Sequence, residues 1–115
     1  MDHNVVTLGG VVVTEFKQIK ESFGVFRMMC KHSLDRDSPL FIEIACFDRL
    51  SEICHQYLKK GTQVHVSGRL RLKTREFEDS EGISRKVNYY SIAAQTVDFS
   101  NTFTGSYVAV VTGDR

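Results

Sequence analysis

A chain of 115 residues that is 42% hydrophobic and 25% charged is long enough to bury a core and too short for two domains. That balance excludes disorder over most of its length. The formal net charge of +1 and the pI near 7.8 argue against a uniformly basic polypeptide, so any charge-driven function must rest on local segregation of charge.

Residues 4–13 read as the first strand, with Gly9 and Gly10 expected at a bulge or sharp coil where a barrel strand bends. Val5, Thr7, Gly9, Val11 and Val13 alternate with Val6, Leu8, Gly10 and Val12, so both faces are largely apolar. A barrel strand gives only one face to its own core. The second face, or the unpaired edge, needs another cover, and a second copy related by a twofold axis is the simplest one.

Residues 15–24 form a polar connection ending in a turn. The second strand, 25–32, turns Phe26, Met28 and Cys30 inward and Arg27, Met29 and Lys31 outward. A loop over 33–39 leads to the third strand, 40–47, where Ile42, Ile44 and Cys46 face one way and Phe41, Glu43, Ala45 and Phe47 the other. The spacing of Leu50, Ile53, Cys54, Tyr57 and Leu58 predicts an amphipathic helix with Asp48 as N-cap, Lys59 and Lys60 at its C-terminal dipole and Gly61 as C′ residue. Tyr57 is expected to pack in the core.

A fourth strand over 62–77 follows, then a turn through Asp79, Ser80, Glu81 and Gly82, then a final strand over 84–99. The fold expected is all-β: a five-stranded Greek-key OB barrel with one α-helix between strands 3 and 4. Residues 1–100 make the domain, and 101–115 a short C-terminal extension.

In the fourth strand Val64, Val66, Gly68, Leu70 and Leu72 share one face, while His65, Ser67, Arg69, Arg71, Lys73, Arg75 and Phe77 share the other. From residue 59 to 75 there are six Lys or Arg and no acid. A bound phosphate chain feels this local charge, because exposed charges act over a Debye length of about 8–10 Å. Alternating cations also mark the solvated side of any half-buried strand. Phe41, Phe47 and Phe77 beside the cationic row are what that reading does not explain. Cations that track phosphates and rings that stack on bases together suit single-stranded nucleic acid. The candidate phosphate contacts are Arg27, Lys31, Arg69, Arg71, Lys73, Arg75, Arg85 and Lys86.

Cys30, Cys46 and Cys54 lack CxxC spacing and fall on apolar faces, as buried reduced thiols do. His3, His32, His55 and His65 are scattered without ligand spacing, so neither a metal nor a cofactor is expected. Glu76, Glu78, Asp79 and Glu81 read as a solvated hairpin tip rather than a nuclease metal site, because strand alternation does not converge them. No Ser/His/Asp or Cys/His arrangement supports catalysis, and no enzymatic activity is expected. No apolar leader or membrane-spanning run opens the chain. The expected location is therefore the cytoplasm at the nucleoid, or the mitochondrial matrix after processing.

Three passages resemble one family: Asn4-Val5-Val6-Thr7-Leu8-Gly9-Gly10, FDRLSEICHQYLKKGTQVHVSGRLRLK, and TREFEDSEGISR. Over roughly residues 4–99 the chain is similar to the DNA-binding domain of the bacterial single-stranded DNA-binding proteins. The resemblance implies a homotetrameric OB-fold that wraps single-stranded DNA in replication, recombination and repair, with no catalysis. By the same resemblance Phe41 and Phe77 stand where the family has stacking Trp residues, and Phe47 matches its Phe. A further stacking Trp falls near Leu34, which cannot stack equivalently, and this chain has no Trp. The family's acidic-hydrophobic C-terminal tip, which recruits replication and repair proteins, has no match in 108–115. The alternatives are a primosome or accessory OB module that binds mainly protein partners and touches DNA weakly, and an OB-fold nuclease.

Overall fold

The computed structural model describes residues 2–31, 38–101 and 107–112, with backbone alone at 100–101 and 107–112. In chain order the elements are β1 (Val6–Val12), β2 (Lys17–Lys20), β3 (Phe23–Cys30), β4 (Leu40–Phe47), α1 (Asp48–Tyr57), β5 (Gln63–Glu78), β6 (Ser84–Asn101) and β7 (Tyr107–Thr112). β1 pairs β5, β5 pairs β6, β6 runs parallel to β4, β4 pairs β3, and β3 returns to β1 through Val11↔Met29 and Val12↔Met28. Five strands thus close a barrel, with the one helix between the third and fourth of them. It is the OB barrel that the sequence pattern predicts, with two short strands added. β2 lies in the predicted polar connection and pairs the outer edge of β3, all four of its residues exposed. β7 lies in the segment read as an extension and pairs residues 96–101 of β6.

Period-two alternation separates core from surface as expected in β3 and β4. Phe26, Met28, Ile42, Ile44 and Cys46 are buried, joined by Leu50, Cys54 and Leu58 of the helix region and by Val64, Val66, Ile92 and Val97. Cys30, Cys46 and Cys54 are buried. The neighbouring Cys54 thiol, then burial, push the Cys46 thiol well above its ordinary value, so it stays protonated and behaves as a small apolar side chain.

Several local expectations are corrected. Gly9 and Gly10 sit in unbroken register opposite His65 and Val64, so they form no bulge. The irregularity falls between Ser67 and Gly68. Gly10 answers a different constraint: a Cβ there would be driven into the Met29 carbonyl, because β1 and β3 cross at that point to close the barrel. At the helix start Phe47 holds the cap position with no side-chain cap bond. Asp48 instead takes φ 55 while its N–H donates to the Ser22 carbonyl. The helix ends at Tyr57, which is 46% exposed rather than packed in the core. Gly61, at φ 91, serves the turn into β5, where its N–H donates to Val12 O at 2.8 Å, and is not the C′ residue.

Beyond Arg71, which lies opposite the last β6 residue that pairs β4, the hairpin of β5 and β6 runs out past the barrel. Leu72, expected inside, is therefore 60% exposed, and Leu70, opposite the buried Ile92 at the margin of the core, is 37% exposed. Asn4 ties the N-terminal segment to this hairpin: its amide donates to Leu70 O and accepts from Leu70 N, both at 2.9 Å. The hairpin turn is built on Asp79. One carboxylate oxygen accepts from the Glu81 and Ile83 N–H groups at 2.9 Å, and the other from Arg85 Nε at 2.7 Å. The acidic tip is thus a hydrogen-bonded turn, with Gly82 at φ 78.

Two predictions follow from this geometry. Gly10→Ala should lower the Tm by about 10 °C or more, as expected for overpacking against backbone. Gly9→Ala, whose Cβ would meet nothing nearer than His65 Cδ2 at 3.4 Å, should change stability by about 0.5 kcal/mol or less. Equal melting of the two variants would contradict the crossing.

The Arg85 guanidinium, then the Ile83 and Glu81 amides, hold the Asp79 carboxyl below its ordinary value. A depressed carboxyl stabilises the turn fully above its unfolded-state value of about 3.9 and loses that contribution as pH falls through the lower folded-state value. The protection factors of the Glu81 and Ile83 amides against hydrogen exchange should therefore fall on acidification below about pH 4. In Asp79→Ala they should be low already at neutral pH.

Candidate nucleic-acid interface

The outer face of the sheet is assembled by register. Arg27 of β3 lies opposite Glu43 of β4, Glu43 opposite Ser91 of β6, and Ser91 opposite Arg71 of β5, making one row across four strands. One row over, Lys73 lies opposite Tyr89, and Phe41 opposite Met29. On the other side Arg69, Ala93, Ala45 and Val25 continue the series. Small residues therefore occupy the middle of the face and long ones its flanks. Ala45 and Ser91 are fully buried although they belong to this face, as small side chains are when longer neighbours lean over them.

Phe23 and Phe47, opposite each other on β3 and β4, stack with centroids 5.0 Å apart at 23°. The Arg71 guanidinium sits 5.3 Å from the Phe47 ring centre, and the Lys73 ammonium 5.7 Å from that of Phe23. These are cation–π distances, so the rings orient the two cations. Nε and Nη2 of Arg71 are buried without a hydrogen-bond acceptor. Its charge rests on an aromatic face and not on a carboxylate.

Beside this stack lies a cleft of about 590 Å³ lined by Arg27, Leu40, Phe41, Ile42, Glu43, Arg75, Phe77, Val87, Tyr89 and Tyr90. Phe41 is 49% and Phe77 38% exposed on its walls. Exposed rings beside cations of this density offer flat apolar surfaces to a planar ligand and positive charge to its linkers.

The expected site residues are thus divided. Arg27, Phe41, Arg75 and Phe77 line the cleft, and Phe47, Arg71 and Lys73 form the adjoining stack. Lys31 lines a different hollow with Gly9, Met29, His65 and Asp98, whose one aromatic, Phe99, is buried. Arg69 lines a third, with Asp2, His3, Asn4, Val5 and Gln95. Arg85 is held by Asp79 at 2.7 Å, and Lys86 pairs Glu76 at 3.5 Å on the opposite hairpin face from Phe77. Leu34 and His32 lie outside the described residues.

Phe23, Tyr89 and Glu43 join the site without having been singled out. Phe23 falls in the segment read as a connection, ahead of the alternation that begins at Val25. Tyr89 and Tyr90 alternate, and period alone does not choose between them. Extending the β3 alternation back by two residues places Phe23 opposite Phe47. Among the described residues no cluster of His, Cys, Asp or Glu could hold a metal ion, and no helix is long and apolar enough to cross a membrane.

Likeness to known proteins lies in sequence and in fold. A 61-residue stretch, 53% of this chain, is 34% identical to a single-stranded DNA-binding protein of Wolinella succinogenes and covers 35% of it. A 43-residue stretch, 37% of this chain, is 44% identical to single-stranded DNA-binding protein 1 of Chlorobaculum tepidum and covers 25% of it. The match thus spans about a third or less of each of these curated relatives.

Among solved structures, the small single-stranded DNA-binding protein of Streptomyces coelicolor superposes with a TM-score of 0.61 at 22% identity, over 90% of this chain and 99% of that one. A mitochondrial single-stranded DNA-binding protein of S. cerevisiae gives 0.63 at 19% identity, over 88% and 98%. At these identities the likeness is one of fold. The profile of the single-strand binding protein family matches residues 4–100, and on that match the chain belongs to the single-strand binding protein family.

Proposed function

We propose that this chain binds single-stranded DNA without requiring a defined sequence, and protects it during replication, recombination and repair. The observation that carries this reading is the state of the cations on the outer face. Arg71 and Lys73 lie over Phe47 and Phe23. Neither they nor Arg27 and Arg75 make an ion pair among the described residues, whereas Arg85 and Lys86 do. Charge left without a carboxylate is available to phosphates, and the exposed rings of Phe41 and Phe77 are available to bases. Family membership supports the same reading, as does similarity to single-stranded DNA-binding proteins of other organisms. Phosphate contacts are proposed for Arg27, Arg71, Lys73 and Arg75, and base stacking for Phe41 and Phe77. Phe47, already stacked on Phe23, is a platform for both.

We further propose a homo-oligomer, with a tetramer of two isologous dimers as its finished form. β1 pairs β5 from Val6 to Val11, but it pairs β3 only at Val11 and Val12. The other edge of residues 6–10 has no strand beside it among the described residues, and Val5 is 70% exposed there. An open apolar edge is covered most simply by its own twofold copy. DNA crossing several linked subunits then gains avidity.

Binding to oligothymidine should exceed binding to a hairpin duplex, because a duplex offers phosphates but no free base faces. Its log–log salt slope should be near −0.7 per phosphate neutralised. Phe41→Ala or Phe77→Ala should weaken binding by about 1–3 kcal/mol at unchanged slope, whereas Arg71→Ala or Lys73→Ala should flatten the slope. Equal affinity for single strand and duplex would overturn the reading. Weak binding to both would favour an accessory module that acts on proteins, and metal-dependent degradation a nuclease.

Oligomeric state is checked by light scattering at micromolar concentration, where a mass near 52 kDa, about four times the 13.1 kDa chain, is expected. A stable species of 13.1 kDa would refute the edge argument.

A further inference from the structure

Glu43 is a carboxylate on a face otherwise made for an anion. It lies at the centre of the row formed by Arg27, Glu43, Ser91 and Arg71, and it lines the cleft whose walls carry Phe41, Phe77 and Tyr89. A negative group placed where a phosphate chain must pass weakens binding unless something neutralises it. No cation does so here: although Arg27 and Arg71 share its row, neither comes within ion-pair distance among the described residues. The donor that reaches Glu43 is the Ser91 hydroxyl, 3.3 Å from the main-chain carbonyl and 3.4 Å from Oε1. Ser91 is fully buried and on the neighbouring strand, and its one hydroxyl hydrogen, shared between two acceptors at long distance, leaves most of the acceptor capacity of the carboxylate open.

We infer that Glu43 is a base-reading residue, one that accepts a hydrogen bond from the exocyclic amino group of a base stacked on Phe41. This rests on the single-strand reading above and refines it. The acceptor stands beside a ring that holds a base in plane, so the polar edge of that base comes to it. A carboxylate accepts from an amino group such as cytosine N4 and repels the 4-carbonyl of thymine or uracil. Cations at the flanks bind every sequence alike. The carboxylate at the centre adds a bias among bases, with amino-bearing bases preferred over 4-oxo pyrimidines. A modest bias of this kind is compatible with binding that needs no defined sequence.

The test is a competition titration with deoxycytidine and deoxyuridine oligomers of equal length at fixed salt and neutral to mildly alkaline pH. These oligomers share a backbone and lack the C5 methyl, and they differ at the 4-substituent and at N3. The intact protein should bind the deoxycytidine oligomer about five-fold more tightly. In Glu43→Gln, a nearly isosteric change whose amide can also donate to a 4-carbonyl, that ratio should fall to one or below while overall affinity rises. Glu43→Ala should abolish the preference, raising affinity for the deoxyuridine oligomer by removing the repulsion but less than Glu43→Gln, which can also donate to the 4-carbonyl, and circular dichroism should show both variants folded. Equal affinities in the intact protein would overturn the role of Glu43 and leave single-strand binding standing, as would a ratio unchanged in Glu43→Gln. Binding to neither oligomer would instead refute the single-strand reading itself.

Discussion

Everything on the outer face depends on closing five strands into a barrel, and closure depends on β1 crossing β3 where Gly10 meets the Met29 backbone. A closed sheet has an inside and an outside on every strand. Once the crossing fixes curvature, Phe26, Met28, Ile42 and Ile44 must be core. Their alternate neighbours Arg27, Phe41, Glu43 and Phe47 must then be surface. The parallel pairing of β4 with β6 places Ser91 and Ala93 beside Glu43 and Ala45, so the middle of that surface is low. The hairpin of β5 and β6, continuing past the barrel, raises Arg71, Lys73, Arg75 and Phe77 along one side. The candidate interface is a consequence of barrel geometry acting on a period-two sequence.

The distribution of charge on this scaffold separates two uses of the same residue types. At the hairpin tip Asp79 gathers Arg85 and two amides into a turn, and Glu76 pairs Lys86 across the strands. These are exposed pairs of small energetic value that shape the loop. On the outer face the cations instead lie over Phe23 and Phe47. A ring orients a cation without cancelling its charge, so the charge of Arg71 and Lys73 still acts on an anion brought to this face.

Much of this was legible in the sequence because strand alternation and local charge are short-range properties. The burial of Phe26, Met28, Ile42 and Ile44, the helix position, the hairpin turn and the exposure of Phe41 and Phe77 all follow from neighbours within a few residues. What was not legible depends on pairs far apart in the chain. That Leu70 lies at the margin of the core and Leu72 beyond it depends on where β6 leaves the barrel. That Phe23 stacks on Phe47 depends on the register of β3 with β4. That Lys31 and Arg69 fall into other hollows, while Glu43 lies among the cations, depends on which strands meet. A sequence stripe identifies a face, but register decides which members of the stripe act together.

The central claim is that single-stranded DNA lies on the face of Phe41, Phe77 and Tyr89. The most direct test is photocrosslinking with an oligothymidine in which single thymidines are replaced by 5-bromodeoxyuridine, followed by mass spectrometry of the crosslinked peptides. The account predicts adducts on Phe41, Phe77 or Tyr89, since a ring stacked on the halogenated base lies within van der Waals contact of it. Crosslinks confined to the hollow beside Gly9 and His65, or to the exposed side of α1, would contradict it.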